Sequence, residues 1–156
     1  MTAATAASCN SPSDTPLCVR RDARGVVTLT LNDSARFNAL GSEMLAALQQ
    51  ALDAIAQDDS VRVVVLAGAG KAFCAGHNLK DMAAHPELAW YQQLFAQGSR
   101  MMLSIHKRPV PVIARVHAMA TAAGCQLVAQ CDLAVAADSA TFATSGIHYG
   151  LFCATP

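Results

Sequence analysis

Four short runs of aliphatic and β-branched residues alternate along this chain with segments whose apolar residues recur at helical spacing. The runs cover residues 25–31, 61–67, 110–116 and 132–137. The first alternates in polarity as a half-buried strand does, and the second is nearly unbroken, which is typical of a strand buried on both faces. Strands that alternate with helices predict an α/β fold, in which helices cover a mainly parallel sheet.

Two long segments between these runs predict amphipathic helices. Ser42 can cap the first, and Pro86 can open the second, which runs to about residue 106. A shorter helix is expected after the small-residue turn at 118–124. The apolar residues expected on the buried sides are Leu45, Leu48, Leu52 and Ile55 in the first helix, and Leu88, Tyr91, Leu94, Phe95, Met102 and Ile105 in the second.

The start of the chain predicts no targeting segment. The first 16 residues are rich in Ala, Ser and Thr, and they lack the charged start and apolar run of a signal peptide and the Arg content of a mitochondrial presequence. We therefore expect residues 1–24 to form a flexible N-terminal tail. Residues 25–156 are expected to form one core domain of a cytoplasmic protein.

The composition excludes several classes of function. Eleven basic and eleven acidic residues give zero net charge, which argues against a nucleic-acid groove or a polybasic membrane anchor. No apolar run approaches the length of a membrane span. The six cysteines contain no C-x-x-C pair and no disulfide framework, so we interpret them as buried or incidental thiols of a reducing compartment. No metal site is expected.

The glycine-rich loop at 68–70 follows an apolar run but fits no nucleotide-binding motif. A dinucleotide fingerprint would need a third glycine where Phe73 stands, and a P-loop would need glycine at Val65 and a hydroxyl residue at Ala72. The G-x-S-x-G motif of serine hydrolases is absent around Ser145. These three interpretations are therefore excluded.

Two other small-residue turns share one design. Residues 75–81 and 120–126 each follow an apolar run, carry the backbone through small residues and then begin a helix or helical turn. Unpaired amides at such turns favour negative charge, so two turns that face one another could hold the oxygen of an enolate in a backbone oxyanion hole. Plain close packing of helix on strand is the structural alternative.

These motifs stand in the order found in the crotonase (enoyl-CoA hydratase/isomerase) superfamily, which the sequence resembles. The likeness covers nearly the whole chain from residue 26, and residues 150–156 resemble one subgroup of the superfamily. The segments that carry the resemblance are 26–32 with 38–40, 61–68, 73–82, 108–114, 124–127 and 131–134.

The resemblance implies a spiral of ββα units, of which this chain holds the N-terminal core, and a trimer or a pair of trimers. It implies an acyl-CoA thioester as ligand, with coenzyme A as part of the substrate and no separate cofactor. The oxyanion amides would belong to His77 and Ala123. Lys80 matches a lysine near the nucleotide phosphates, with a solvated surface lysine as the alternative. The implied substrate contacts are Arg36, Asn38, Ala39, Leu40, Ala75, Gly76, Asn78, Leu79, Lys80 and Met119.

The acid and base that the superfamily uses to add water are replaced in this sequence. By the resemblance, the two glutamate positions are Gln126 and Gly146, and the only glutamates of the chain, Glu43 and Glu87, lie outside those motifs. A carboxamide orients water but has no useful basicity, so ordinary hydratase activity is not expected.

Four other polar residues could substitute for the missing glutamates. They are His77, Asp81, Ser145 and His148, among which His148 is the first choice, and a surface or capping role is the alternative for each. Asp132 is expected to anchor a turn. The leading hypothesis is an enolate-stabilising enzyme of the enoyl-CoA hydratase/isomerase type, and the alternative is a non-catalytic acyl-CoA-binding protein or an inactive fragment.

The resemblance also implies that helices beyond residue 156 close the acyl pocket and the subunit interface. We therefore expect a chain truncated before its C-terminal helical region, which is poorly soluble when expressed alone.

Overall fold

A computed structural model describes residues 15–107 and 109–150, which form two sheets and four helices. The strands are β1 (Leu17–Arg21), β2 (Val26–Leu31), β3 (Val63–Gly68), β4 (Ala72–Cys74), β5 (Val112–Val116), β6 (Met119–Thr121), β7 (Leu133–Ala136) and β8 (Phe142–Ala143). The helices are α1 (Ser42–Ala56), α2 (Leu79–Ala84), α3 (Leu88–His106) and α4 (Ala123–Ala129), with 3₁₀ turns at Ser34–Arg36 and Ser145–Tyr149.

Successive strands divide between the two sheets. The larger sheet has the order β1-β2-β3-β5-β7, with β1 antiparallel to β2 and the other neighbours parallel. The smaller sheet, β4-β6-β8, is parallel throughout. Thus β3–β4, β5–β6 and β7–β8 each place one strand in each sheet, and helices follow the first two pairs. The expected α/β class and crotonase-like ββα spiral are confirmed.

The core lies between the larger sheet and the helices α1 and α3. All four residues expected on the inner side of α1 are buried, as are Leu94, Met102 and Ile105 of α3. The helix starts differ from the prediction. Helix α1 is capped by Gly41 in extended conformation rather than by Ser42, and α3 begins two residues after Pro86. Leu88 is 73% exposed and Phe95 40% exposed, so neither belongs to the core.

The expected flexible tail at residues 1–24 is wrong for residues 17–21. Leu17–Arg21 forms β1, paired with β2 from Leu17↔Leu31 to Arg21↔Val27. Leu17 is its one buried residue, so β1 has no alternating buried pattern by which a half-buried strand is predicted from sequence. Residues 1–14 lie outside the described ranges.

The cysteines differ in state. Cys74, Cys125 and Cys131 are free thiols, whereas Cys18 of β1 is disulfide-bonded. The expectation of thiols throughout is therefore wrong for Cys18. Among the residues that the structure describes, no helix is both long and apolar enough to cross a bilayer.

Candidate functional site

The two small-residue turns meet in the structure. Gly76, in the turn after β4, has φ +86°, and a Cβ placed on it would lie 2.9 Å from Ala122 Cβ and 3.0 Å from Ala123 N. A Cβ on Gly124 would lie 2.2 Å from the carbonyl oxygen of Cys74. The start of α4 is therefore packed directly against the end of β4 and the turn that follows it. Contact this close between two backbones requires glycine at both positions.

The first turn is fixed by the segment that precedes α1. Ala75 N donates to Phe37 O at 3.1 Å, and Leu40 N donates to Gly76 O at 2.7 Å. The peptide between Gly76 and His77 is trans, so its N–H points opposite to its carbonyl. Because the Gly76 carbonyl is held by Leu40, the His77 N–H points away from Leu40.

Asn38 holds the base of this arrangement. It is fully buried, with φ +55°, and its Nδ2 donates to Ala69 O at 2.8 Å, Ala72 O at 2.9 Å and Phe73 O at 3.1 Å. Its Oδ1 accepts from Asp33 N at 2.9 Å. The amide is thus fully occupied inside the protein. The Asn38 side chain braces β4 and the loop before it, and its backbone N–H donates to Asp33 O at 2.8 Å, so neither group is available for the substrate contact expected at Asn38.

The second turn contains a strained residue. Ala122, the N-cap of α4, has φ +51° and ψ −127°, which L-residues with a side chain seldom adopt. Ala122 N donates to Ala143 O of β8 at 2.8 Å. Neither His77 N nor Ala123 N donates a hydrogen bond within the described residues. The two amides expected to form the oxyanion hole therefore lie in adjoining turns and have no protein acceptor there.

The imidazole of His77 is held by a hydrogen bond and by an aromatic contact. Its Nδ1 donates to Leu40 O at 3.1 Å, and its ring meets Phe95 edge-on at a centroid distance of 5.2 Å. Burial lowers the pKa of His77 below its usual value of 6.5, and the hydrogen bond to Leu40 O opposes part of this effect. The neutral ring is held between α3 and Leu40, an arrangement that does not favour a role as catalytic acid or base.

The positions matched to the family glutamates both fall at this end of the fold. Gln126 is half-buried on α4, and Gly146 is buried in the second 3₁₀ turn. The β6–β8 pairing Thr121↔Ala143 brings that turn towards the start of α4, and the hydroxyls of Thr121 and Ser145 are hydrogen-bonded at 2.6 Å. Ser145 is therefore engaged by Thr121.

The other candidate acids and bases have different placements. His148 is exposed in the second 3₁₀ turn, and Asp81 is half-buried on α2. Asp132 accepts a hydrogen bond from Val112 N at 2.7 Å, which confirms its expected role as a turn anchor. Burial raises the pKa of the Cys74 thiol to about 12, so this neighbour of the first turn is no nucleophile at neutral pH.

Several of the expected substrate contacts surround a polar cavity of about 220 Å³. Arg36, Ala39 and Asn78 line it, together with Asp33, Glu43 and Asp81. Among the described residues that line it, Arg36 supplies the one guanidinium, whose Nε lies 2.7 Å from Asp33 Oδ2. Three carboxylates against one paired cation disfavour a phosphate here. This acidic lining could not be foreseen, because its members come from separate segments of the sequence.

The remaining expected contacts lie around α2 and β6. Asn78 caps α2, and its side chain accepts from Lys80 N at 3.1 Å and Asp81 N at 3.5 Å. Lys80 is exposed and does not line the polar cavity. Leu79 is 44% exposed and Met119 is 38% exposed, so both apolar side chains reach the surface.

Comparison with known proteins gives a consistent picture. The profile of the Enoyl-CoA hydratase/isomerase family matches residues 21–155. Enoyl-CoA hydratase domain-containing protein 3, mitochondrial, from Xenopus laevis is 42% identical over 142 residues, which is 91% of this chain and 48% of that protein. This is the subgroup that the last residues resemble.

Two further matches support the same family. The crystal structure of enoyl-CoA hydratase from Mycobacterium smegmatis has a TM-score of 0.89 and 61% identity, and the match covers 92% of this chain and 56% of that chain. The 1,2-epoxyphenylacetyl-CoA isomerase of Escherichia coli is 36% identical over 133 residues, 82% of this chain and 50% of that protein.

Two facts about these relatives bear on the expectations. The chain spans about half the length of the curated relatives it matches. The Xenopus laevis relative carries a mitochondrial name, which does not fit the cytoplasmic location expected from the sequence.

Proposed function

The chain belongs to the enoyl-CoA hydratase/isomerase family, and we propose that it binds an acyl-CoA thioester and stabilises its enolate between the amides of His77 and Ala123. The observation that carries the proposal is the meeting of the two turns, with both amides lacking an acceptor in the described residues. Coenzyme A enters as part of the substrate, and we propose a homo-oligomer, a trimer or hexamer, as in the superfamily.

The proposed enolate stabilisation follows from two N–H donors whose positions are fixed before the substrate binds. When a bond at the carbon next to the thioester carbonyl breaks, negative charge develops on the carbonyl oxygen, and two fixed N–H groups stabilise it without having to reorganise. Ala122 and Gly124 support such rigidity in the second turn, because the strained backbone of Ala122 and the close packing of Gly124 against Cys74 leave it little freedom. One donor of this kind contributes a factor of about 10²–10³ in rate.

The reaction is proposed to be one that needs little acid–base help. Gln126 can orient a group but cannot remove a proton, Gly146 has no side chain, and the ring of His77 is engaged by Leu40. Decarboxylation fits this set better than hydration does, because its enolate forms as carbon dioxide leaves and no proton has to be removed. The same two substitutions favour the second candidate, a non-catalytic acyl-CoA-binding protein.

Two measurements on the 156-residue chain test acyl-CoA binding and the absence of ordinary hydration, which both candidates share. Isothermal titration with crotonyl-CoA reports binding, and loss of the conjugated thioester absorbance reports hydration. Binding with hydration far below ordinary hydratase rates is expected. Ordinary hydratase turnover would refute the role given to positions 126 and 146, and no binding of any acyl-CoA would refute the proposed function.

The amide of Ala123 is tested by a matched pair of variants. Ala122→Gly relieves the strained position, and Ala122→Gly/Ala123→Pro additionally removes one N–H where proline is tolerated, at the first position of a helix. The double variant is expected to lose about 10²-fold in any enolate-dependent turnover relative to Ala122→Gly. Equal activity in the two variants would show that this amide holds no oxyanion.

The missing acids are tested by restoring them. Gln126→Glu alone and paired with Gly146→Glu is expected to raise hydration of crotonyl-CoA, because the first carboxylate supplies a base and the second a proton donor. If a folded double variant, verified by circular dichroism, shows no gain, then more than the two carboxylates separates this chain from a hydratase.

A further inference from the structure

We propose that the imidazole of His77 is a positioning residue that sets the direction of the amide N–H of its own residue. The proposal rests on the proposed function, in which that N–H holds the enolate oxygen. It concerns the side chain, whereas the oxyanion role requires only the backbone.

Both backbone groups of Leu40 are hydrogen-bonded to the first turn. Its N–H donates to Gly76 O at 2.7 Å, and its carbonyl accepts from His77 Nδ1 at 3.1 Å. These two bonds hold the rigid Gly76–His77 peptide and the Cα next to it against the same residue. A rotation of that peptide, which would redirect the His77 N–H, must break one bond or strain the other.

The first turn needs these two hydrogen bonds because it contains Gly76, a residue with little conformational preference. Gly76 has φ +86°, which its contact with Ala122 and Ala123 requires, but glycine lacks the Cβ that would restrict its backbone to one conformation. The hydrogen bond from the His77 side chain to Leu40 O restricts the backbone conformation of Gly76, which has no Cβ of its own to do so. Ala75 N donates to Phe37 O on the other side of the glycine, so both flanks of Gly76 are fixed.

Helix α3 holds the ring from its other side. Phe95 presents its ring at 80° to the imidazole, and a Cβ on Gly98 would lie 3.5 Å from His77 Cε1. Leu40, Phe95 and Gly98, which lie beside the ring, carry no charge. Burial in this setting keeps the ring neutral at neutral pH, with Nδ1 protonated as the donor.

Three variants separate the donor from the ring. His77→Asn retains an N–H close to the place of Nδ1 and removes the rest of the ring, His77→Phe retains a ring and removes the donor, and His77→Ala removes both. If the hydrogen bond to Leu40 positions the amide, the Asn variant should resemble the wild type more closely than the Phe variant does.

Amide hydrogen exchange measured by NMR tests the two hydrogen bonds of Leu40 without a ligand. In His77→Phe the amides of Leu40 and Ala75 are expected to exchange about tenfold faster than in the wild type, because the junction opens more often. His77→Asn should restore slow exchange, and the amide of Leu48 in α1 should report only the global stability. Unchanged exchange at Leu40 in His77→Phe, or a change equal to that at Leu48, would overturn the proposal.

The spectrum of bound acetoacetyl-CoA tests the consequence for the oxyanion. The enolate of this β-ketothioester absorbs in the near ultraviolet, where the keto form does not. The wild type is expected to increase the enolate band, His77→Phe to lose most of the increase, and His77→Asn to recover it. A full increase in all three variants would refute the positioning role, whereas its absence in the wild type would refute the proposed function and leave the exchange experiment to decide the role of His77.

Discussion

Asn38 is the residue on which the geometry of the site most directly depends. It is the only buried polar side chain among the described residues, and it satisfies three carbonyls in β4 and the loop before it, and one amide just before the first 3₁₀ turn. Its left-handed backbone follows a second left-handed residue, Phe37 at φ +53°. The side-chain amide of Asn38 therefore provides hydrogen-bond partners for the buried carbonyls and stabilises the left-handed backbone at residues 37 and 38.

Asn38→Ala is expected to lower the free energy of unfolding by about 3 kcal/mol, because it leaves several buried polar groups without partners. Asn38→Asp should cost more, since its carboxylate would face three carbonyl oxygens. Urea denaturation measures both values. Gln93→Ala, on the exposed side of α3, serves as the control and should stay within about 0.5 kcal/mol of the wild type. A near-neutral Asn38→Ala would contradict the bracing role.

The lowered pKa of His77 predicts a dependence of stability on pH. The unfolded chain protonates this histidine near its usual value of 6.5, while the folded chain does so only at lower pH. Lowering the pH from above 6.5 therefore favours unfolding, by up to about 1.4 kcal/mol per pH unit until the folded pKa is reached. The stability difference between pH 8 and pH 5.5 should shrink in His77→Asn. An identical difference in both proteins would show that His77 does not contribute.

At this scale the sequence predicts small residues better than unusual backbones. The glycines and alanines of both turns point to the site, because backbone donors in close contact require small side chains. Phe37 and Ala122 could not be identified, since neither residue type favours positive φ and both are held there by the surrounding fold. The hydrogen bonds of the Asn38 side-chain NH₂ group go to residues more than thirty positions away, so no nearby sequence pattern predicts them.

At the scale of elements, two helical glycines have opposite surroundings. In α4, a Cβ on Gly124 would overlap Cys74 O at 2.2 Å, so the helix could not keep its distance from β4. In α3, a Cβ on Gly98 would make ordinary contacts of 3.5–4.0 Å with His77 and Leu45. Gly124 therefore permits α4 to pack closely against β4, whereas the packing of α3 does not require glycine at position 98.

Gly124→Ala is expected to destabilise the protein by about 1–3 kcal/mol, as overpacking does, and to weaken any acyl-CoA binding. Gly98→Ala should instead raise the free energy of unfolding by about 0.5–1 kcal/mol, because alanine favours the helix interior. Thermal and urea denaturation compare the two. The same sign for both substitutions would contradict the assigned contacts.

The sequence predicts the elements that carry an apolar pattern and misses β1 and the strands of the smaller sheet. The strands β2, β3, β5 and β7 and the helices α1, α3 and α4 follow from apolar patterns over several residues. The smaller sheet has strands of two or three residues, too short for a pattern, and β6 falls in a segment expected to be a turn. Their pairing is set by the strands of the larger sheet, to which they are joined.

At the scale of the whole molecule, β7 presents apolar side chains at an edge of the larger sheet. Leu133 is 61% exposed and Val135 63% exposed, and β7 pairs only with β5 among the described strands. Ile147 and Tyr149, in the second 3₁₀ turn, are also mainly exposed. An apolar edge strand with free backbone groups favours association with another chain.

The 156-residue chain is therefore expected to self-associate in solution, and Leu133→Lys/Val135→Lys should reduce this association, because lysines on an edge oppose strand pairing. Sedimentation velocity measures the distribution of species. Leu88→Lys changes an equally exposed leucine on α3 and should have little effect. A monodisperse wild-type monomer would contradict the prediction.

The division of strands between two sheets separates the parts of the chain that maintain the fold from those that form the site. The larger sheet and the helices α1 and α3 hold most of the buried apolar residues, while Gln126 and Gly146 follow strands of the smaller sheet. Neither residue belongs to the buried apolar cluster, so substitutions at these two positions are expected to disturb the main core less than substitutions within it. The architecture is in this sense evolvable: we expect it to tolerate a change of the proposed chemistry, or its loss, while the scaffold that carries the amides of His77 and Ala123 persists.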